Sequence, residues 1–363
     1  MRPRRGLRDL AGVVLLDLPR YWRALRHSGA KYRSHPKGWI GLRNRAERLQ
    51  AASEGLGVRC DWNLGNALHA AQVLPFLGDR LLRAALAEWP IQFARNAPAA
   101  AECPEVSFIF AHSGSDRLPQ LRQTLYSLFA QRDTRCEFIV VDQSPSPLLP
   151  SLPEGIVYRH LSKEGLPKGW YKSWAYNVGA RLARAPILVF QDGDICAPSR
   201  YAAEVVQKIG ERGYRAASLQ RFLCYLDQAA TRAIHARQAI SASARTDLVY
   251  QNWKGGTIAV ARDAFFALGG FDEGFADWGG EDDEFYDRCS LVGHCRHGYL
   301  PFVHLWHAPQ DDSRISSNLN MTEVLPWRLS MPADLRAAEL RSRAWGSVDH
   351  PDPSTSYKSQ LVK

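Results

Sequence analysis

The chain of 363 residues is 45% hydrophobic and 23% charged, with 27 Gly and 21 Pro spread along it. This composition excludes a collagen, a coiled coil and a wholly disordered chain, and the length allows one large domain or two moderate ones. Net charge is +9, but the first 50 residues hold 13 Lys and Arg against 3 Asp and Glu, a net of +10, while the remainder carries 33 against 34. A near-neutral body argues against nucleic acid as a partner, which would need a basic stripe on the folded domain. An anionic membrane surface is the more economical partner for the basic segment.

In chain order, Leu7, Leu10, Val14, Leu18, Tyr21 and Leu25 recur at three- and four-residue steps with Arg8, Arg20, Arg23 and Arg26 between them. The spacing predicts an amphipathic helix kinked near Pro19, which either lies on a membrane surface or packs on the body of the protein. Residues 50 to 100 read as helical, especially Asp79 to Asn96 with an interruption at Pro90, so that 1–100 forms a basic helical extension. The stretch from Asn96 to Pro104 reads as a linker. Beyond it, Val106 to Ala111 and Glu137 to Asp142 are buried strands, Leu118 to Gln131 is a helix and Ile156 to His160 is a further strand. Tyr171 to Ala183 is a helix and Ile187 to Gln191 another buried strand. This alternation predicts an α/β domain over 105–310, with a mostly parallel sheet flanked by helices and a ligand site beyond the carboxyl ends of its strands. Residues 311–363 form a C-terminal extension.

The longest apolar run, Leu10 to Leu16, is far short of the roughly 18–20 residues a membrane-spanning helix needs. The seven cysteines are odd in number, scattered and without a C-x-x-C pair, so neither a disulfide framework nor a zinc site is expected. No signal peptide is evident, and the expected location is the cytoplasm, with peripheral contact on the inner face of the cell membrane through residues 1–50.

Two strand ends terminate in carboxylates: Asp142 in VVDQS, and the Asp192-Gly193-Asp194 turn after ILVFQ. An Asp-x-Asp at a strand end can hold a divalent cation that bridges two phosphates, and no other partner for the pair is evident there. Further on, NWKGGTIAVARDAFFALGGFDEGFADWGGEDDEFYDR gathers Asp277 and Glu281 to Glu284 around a Trp-Gly-Gly. The glycine pairs permit close backbone approach, Trp278 offers an apolar face to a sugar ring, and the carboxylates opening the helix sit at its positive end. Successive helical residues point about 100° apart, so the four carboxylates cannot all face one substrate, and Asp283 and Glu284 are expected to tolerate amidation better than Glu281 and Asp282.

GGFDEGFADWGGEDDEF resembles the C-terminal signature of galactosyltransferase-type enzymes and of chondroitin-polymerase-like family-two glycosyltransferases. VSFIFAHSGSDRL, VVDQS and WAYNVGARLARAPILVFQDGDICAP match the preceding strands, helix and metal turn, so the resemblance spans roughly residues 106–310. It implies a GT-A fold and an inverting, UDP-sugar-dependent hexosyltransferase that needs Mn2+ or Mg2+ and takes a galactose-type hexose or N-acetylhexosamine as donor sugar. The acceptor it implies is a glycan or lipid-linked glycan in bacterial surface polysaccharide synthesis. Carried onto this chain, Arg117 and Asp142 would contact the nucleoside, Asp192 and Asp194 would form the metal and diphosphate motif, and Gly255 and Gly256 would approach the donor. Trp278 would line the sugar site, Glu281 would recognise sugar hydroxyls and Asp282 would be the catalytic base. The late metal-ligand histidine falls in FVHLWHAP, with His307 as first choice and His304 as second. The chain departs from the pattern in its HSGSDR loop and in Gly193. A sugar-nucleotide nucleotidyltransferase would need a better Gly-rich basic phosphate loop than AHSGSDR, and a dead glycan- or membrane-binding scaffold is opposed by the intact Asp192, Asp194 and Asp282.

Overall fold

The computed structural model describes residues 6–26, 34–53, 56–62, 65–167, 169–308 and 319–351. The remainder of the basic segment and of the C-terminal extension lies outside the described residues. The chain begins as one helical stretch made of α1 (Leu7–Gly12), a wide π-helical turn (Val13–Asp17) and α2 (Leu18–Arg26). The wide turn falls just before Pro19, whose nitrogen has no hydrogen to donate backwards. Val13, Asp17, Tyr21 and Ala24 are buried, four, four and three residues apart on one face. Asp17 is held there by Arg20 and Arg45, each at 3.3 Å. Of the expected apolar stripe, Tyr21 is buried and Leu18 and Leu25 pack, partly buried, against the core. Leu7, Leu10 and Val14 of that stripe look outward, Leu7 being 87% exposed, as do Leu15 at 71% and Trp22 at 50% outside it.

The expected helix from residue 50 fails at its start. β1 (Arg48–Ala51) and β2 (Val58–Asp61) form an antiparallel hairpin. In β2, buried Val58 and Cys60 alternate with half-buried Arg59 and Asp61, the period-two pattern of a strand covered on one face. Helix resumes in α3 (His69–Val73) and α4 (Pro75–Glu88), which stops ahead of Pro90. This region is no appendage. Trp39, Ile40, Leu42 and Leu68 belong to the same hydrophobic core as the central sheet, and the buried Arg221 guanidinium donates to the Ile40 and Leu42 carbonyls at 2.6 and 2.5 Å.

The next six elements follow the predicted order with ends within two residues: β3 (Val106–His112), α5 (Leu118–Phe129), β4 (Cys136–Asp142), β5 (Val157–His160), α6 (Lys172–Leu182) and β6 (Ile187–Gln191). Then come β7 (Ile195–Cys196), α7 (Tyr201–Val206), β8 (Ala216–Ala217), β9 (Gln220–Leu226), α8 (Gln228–Arg237), β10 (Thr246–Gln251), β11 (Thr257–Ala261) and α9 (Arg262–Ala267). The described chain closes with α10 (Glu281–Arg288), β12 (His294–Cys295), β13 (Leu300–His304), α11 (Leu325–Ser330) and α12 (Ala333–Ser342).

The central sheet has the order β12-β8-β11-β6-β3-β4-β5 and is parallel except along both edges of β11. Strands β3, β4 and β6 are almost wholly buried, which is why they read as unbroken apolar runs. Because β11 runs against β6, with Thr257 opposite Gln191, the Gly255-Gly256 pair arrives at the carboxyl end of β6. A second sheet, β10-β9-β13-β7, pairs His304 with Ile195. That register brings the end of β13 to the Asp192–Asp194 turn.

Candidate active site

The turn after β6 is closed by Gln191, whose amide donates to the Ile195 carbonyl at 2.7 Å, and by the Asp192 N–H donating to the Gly256 carbonyl at 2.8 Å. The Leu305 N–H donates to the Asp194 carbonyl at 2.8 Å, so the chain leaving β13 is laced to the same turn. As a result both histidines, not one of them, reach Asp194: its Oδ2 lies 3.6 Å from His304 Nε2 and 3.4 Å from His307 Nε2, with the Arg117 guanidinium at 3.8 Å. Among the described residues these three side chains form a group that could hold a metal ion, their ligand atoms all within 4.8 Å of one another. Burial works against ionisation of Asp194, but the two imidazoles and Arg117 outweigh it and hold the carboxyl well below its usual range.

Asp192 faces the other way. Its Oδ1 accepts from the Tyr176 hydroxyl and from Lys172 Nζ, both at 3.0 Å. The two aspartates thus have partners after all, and they are different ones. Lys172, at the first turn of α6, is the residue that sequence reasoning missed. Its ammonium is 3.0 Å from Asp192, 3.2 Å from Glu281 and 3.0 Å from Asp282. Burial opposes its charge, yet the surrounding carboxylates raise its pKa well above the ordinary lysine value. Lys172 therefore joins the strand-end turn to the acidic helix.

That helix starts where it does because Gly279 and Gly280 adopt φ values of 96° and 92°, open to glycine and strained for other residues. A Cβ on Gly280 would also sit 2.6 Å from the Phe275 ring. The four carboxylates of α10 then separate. Glu281 is buried with its Oε1 on Lys172 and, among the described residues, its Oε2 without a hydrogen-bond partner. Asp282 is pushed up to about 8, foremost by burial, with Glu281 and Asp192 adding and Lys172 opposing. Asp283 pairs with Lys254 at 2.9 Å near the surface. Glu284 points into the protein, where Arg288 and Arg336 bind it. The expectation that Glu284 would tolerate amidation is corrected by this burial.

Gly255 makes room for Asp282: a Cβ there would lie 2.7 Å from Asp282 Oδ2 and 3.2 Å from the Trp253 indole nitrogen. Gly256, at φ 92°, leaves no space against Ile195. Trp278 is 57% exposed beside the acidic helix, on a loop held by Asn320, which donates to the Ala276 and Trp278 carbonyls. Asp142 differs from expectation. It is fully buried and already accepts from the Ser144 N–H and hydroxyl, the Leu148 N–H and the Tyr158 hydroxyl. It braces the loop after β4 and presents no free carboxylate.

The site thus gathers carboxylates, two histidines and a lysine at the carboxyl ends of a mostly parallel sheet, where ligands bind in sheets of this kind. Two family models match the chain in part: residues 115–267 match "Glycosyl transferase family 2", and residues 236–299 match "N-terminal domain of galactosyltransferase". These two matches support a glycosyltransferase of the GT-A type. No curated protein matches it significantly. Among solved structures, it is similar to the mannosyltransferase PcManGT from Pyrobaculum calidifontis in complex with GDP-Man and Mn2+, at 18% identity and TM-score 0.44, over 73% of this chain and 81% of that one. It is also similar to GalNAc-T7 with UDP, GalNAc and Mn2+, at 15% identity and TM-score 0.41, over 68% of this chain and 55% of that one. His304 and His307 lie beyond both family matches.

Proposed function

We propose that the chain is a Mn2+-dependent, inverting transferase that moves a galactose-type hexose or N-acetylhexosamine from a UDP-sugar to a glycan or lipid-linked glycan acceptor in bacterial surface polysaccharide synthesis. The observation that carries this reading is the junction at Lys172, where the Asp192–Asp194 turn with its two histidines meets Glu281 and Asp282. One carboxylate and two imidazoles suit Mn2+ better than Mg2+, which favours all-oxygen surroundings. Asp194, His304 and His307 would hold the ion, and when bound it supplies neutralisation of the charge that develops on the leaving diphosphate. Arg117 and Lys172 are the chain's own cations on that side.

Asp282 takes the proton of the attacking acceptor hydroxyl. The acceptor oxygen bonds to the anomeric carbon as the bond from that carbon to the diphosphate oxygen breaks, and its electron pair leaves with UDP. This single displacement inverts the anomeric centre. Glu281, whose buried Oε2 has no hydrogen-bond partner among the described residues, accepts from a sugar hydroxyl, and Trp278 offers its face to the ring. Release of UDP from a panel of UDP-sugars, with and without Mn2+, tests the reading.

A base must be ionised to work. With Asp282 raised to about 8, kcat/KM for the acceptor is expected to climb as pH rises through about 8 and to level above it. Lys172→Met removes the opposing positive charge and should move that limb to higher pH. A profile flat from pH 6 to 9 in both proteins would contradict the assignment.

The same reading places the enzyme at the cytoplasmic face of the membrane. Its support is the outward row of Leu7, Leu10, Val14, Leu15, Leu16 and Trp22, with the Arg26 guanidinium 5.0 Å and the Arg80 guanidinium 5.5 Å from the Trp22 ring centre. Among the described residues no helix is long and apolar enough to cross a membrane. Lys and Arg near an anionic surface add about 1 kcal/mol each. Replacing Leu7, Leu15 and Leu16 by Ser should abolish flotation with anionic liposomes without changing UDP release in solution. Undiminished flotation would assign the helix a packing role alone.

A further inference from the structure

A series of aromatic rings leads from the histidine pair out to the N-terminal hairpin. His304 lies flat on Tyr225, with centroids 3.9 Å apart, and Tyr225 meets Tyr250 edge-on at 5.3 Å. Tyr250 stacks on Trp253 at 5.0 Å, and Trp253 lies within 10° of parallel to Trp62 at 6.5 Å. All four of Tyr225, Tyr250, Trp253 and Trp62 are half-buried. The series passes beside the acidic cluster, because the Trp253 indole nitrogen and the Asp282 carboxylate converge on the same face of Gly255.

The outer end of the series is built, not incidental. Trp62 follows directly on β2, and Asn252 precedes Trp253 in the left-handed region at φ 42°. From there the Asn252 side chain accepts from the Cys60 N–H at 3.0 Å and donates to the Val58 carbonyl at 3.2 Å. Arg221, fully buried, donates at 2.9 Å to the Asn252 Oδ1 that also accepts from Cys60. The hairpin of the extension is thereby fixed to the loop that carries Trp253, and the two indoles are held side by side.

Part-exposed indoles combine an apolar face with a polar N–H, which matches a sugar ring with its C–H face and hydroxyl rim. Rigid aromatic side chains also lose little conformational freedom on binding. We propose that Trp62 and Trp253 form an acceptor subsite that holds the sugar unit next to the one whose hydroxyl meets Asp282. The preferred acceptor is then a glycan chain of two or more units, not a monosaccharide. This rests on the glycosyltransferase reading and assigns the N-terminal extension a share in the acceptor site.

The test uses the full chain, titrated by calorimetry with UDP plus Mn2+ and, separately, with chondroitin, N-acetyllactosamine and cello-oligosaccharides of one to six units. Wild type is expected to bind at least one series, with affinity rising between one and three units. Trp62→Ala should remove about tenfold of that gain, the scale of truncating a binding hot spot, while Trp62→Phe keeps most of it and UDP affinity stays unchanged in both. A chain-length gain that survives Trp62→Ala overturns the proposal, as does a wild type that binds UDP with Mn2+ but no oligosaccharide. An equal gain from a single sugar bearing an alkyl chain would also overturn it, in favour of a lipid aglycone. Failure of wild type to bind UDP at all would instead strike the underlying glycosyltransferase reading.

Discussion

Asp282→Asn is expected to slow sugar transfer by about 100-fold or more while leaving UDP and Mn2+ binding within about twofold of wild type. The amide keeps the size and polarity of the side chain, so Gly255 still fits against it and Lys172 still finds an oxygen to donate to. What disappears is the proton acceptor, and a general base contributes on the order of 10²–10⁴ in rate. Glu281→Gln should act differently. On the proposed reading its buried Oε2 accepts from a sugar hydroxyl, so the loss is expected to fall on substrate affinity. Asp283→Asn breaks only a part-exposed pair with Lys254, an interaction of about 1 kcal/mol or less. Initial rates and donor affinities of the three amides decide this. Near-normal transfer by Asp282→Asn together with a dead Asp283→Asn would show that the acidic helix is in a different register toward the substrate.

Glu284→Gln is expected to destabilise the protein by about 3–5 kcal/mol, the scale for breaking a buried ion pair by removing one partner. Glu284 is fully buried, with Arg288 donating to both of its oxygens at 2.7 and 2.6 Å and Arg336 donating to one. Burial alone would raise its pKa, but the arginines hold the carboxyl below its ordinary value. Beside it, the buried Arg328 pairs with Asp272 at 2.9 Å and Glu339 at 2.7 Å. This network fastens α11 and α12 to the helix that carries Glu281 and Asp282. Amidation removes the carboxylate that the buried Arg288 pairs with and leaves Arg336 with Asp287 as its remaining carboxylate partner among the described residues. Thermal unfolding should show a clear fall in midpoint, and limited proteolysis should cut the C-terminal helices earlier. Unchanged melting and cleavage would mean that the network does not hold these helices.

The fold was legible where one physical signal dominated. Strands buried on both faces, such as Val106–His112 and Ile187–Gln191, read as largely apolar runs, and the Asp-Gly-Asp turn announces itself at the end of one. The hairpin Arg48–Asp61 was hidden because each strand has four residues, and β1 is mostly exposed. The choice between His304 and His307 dissolved because the chain bends back after β13, which spacing along the sequence does not reveal. Lys172 carried no local mark at all. A lysine opening a helix is ordinary, and its meaning comes from α10, more than a hundred residues later, packing its first turn against that point. Glu284 was half legible: the four-residue step to Arg288 is a readable helical ion pair, whereas Arg336 arrives from a separate helix. Asp142 stood at the right strand end, but only the loop around it shows that its oxygens are already engaged.

The most direct test of the account is release of UDP from UDP-sugars by wild type and by Asp194→Ala, each with Mn2+ and with chelator, alongside Mn2+ binding followed by electron paramagnetic resonance. Wild type should release UDP only with Mn2+ and should bind the ion, and Asp194→Ala should do neither, while the fold and the Lys172 junction stay intact. Equal UDP release in chelator, or an Asp194→Ala protein that turns over and binds Mn2+ as wild type does, would contradict the account.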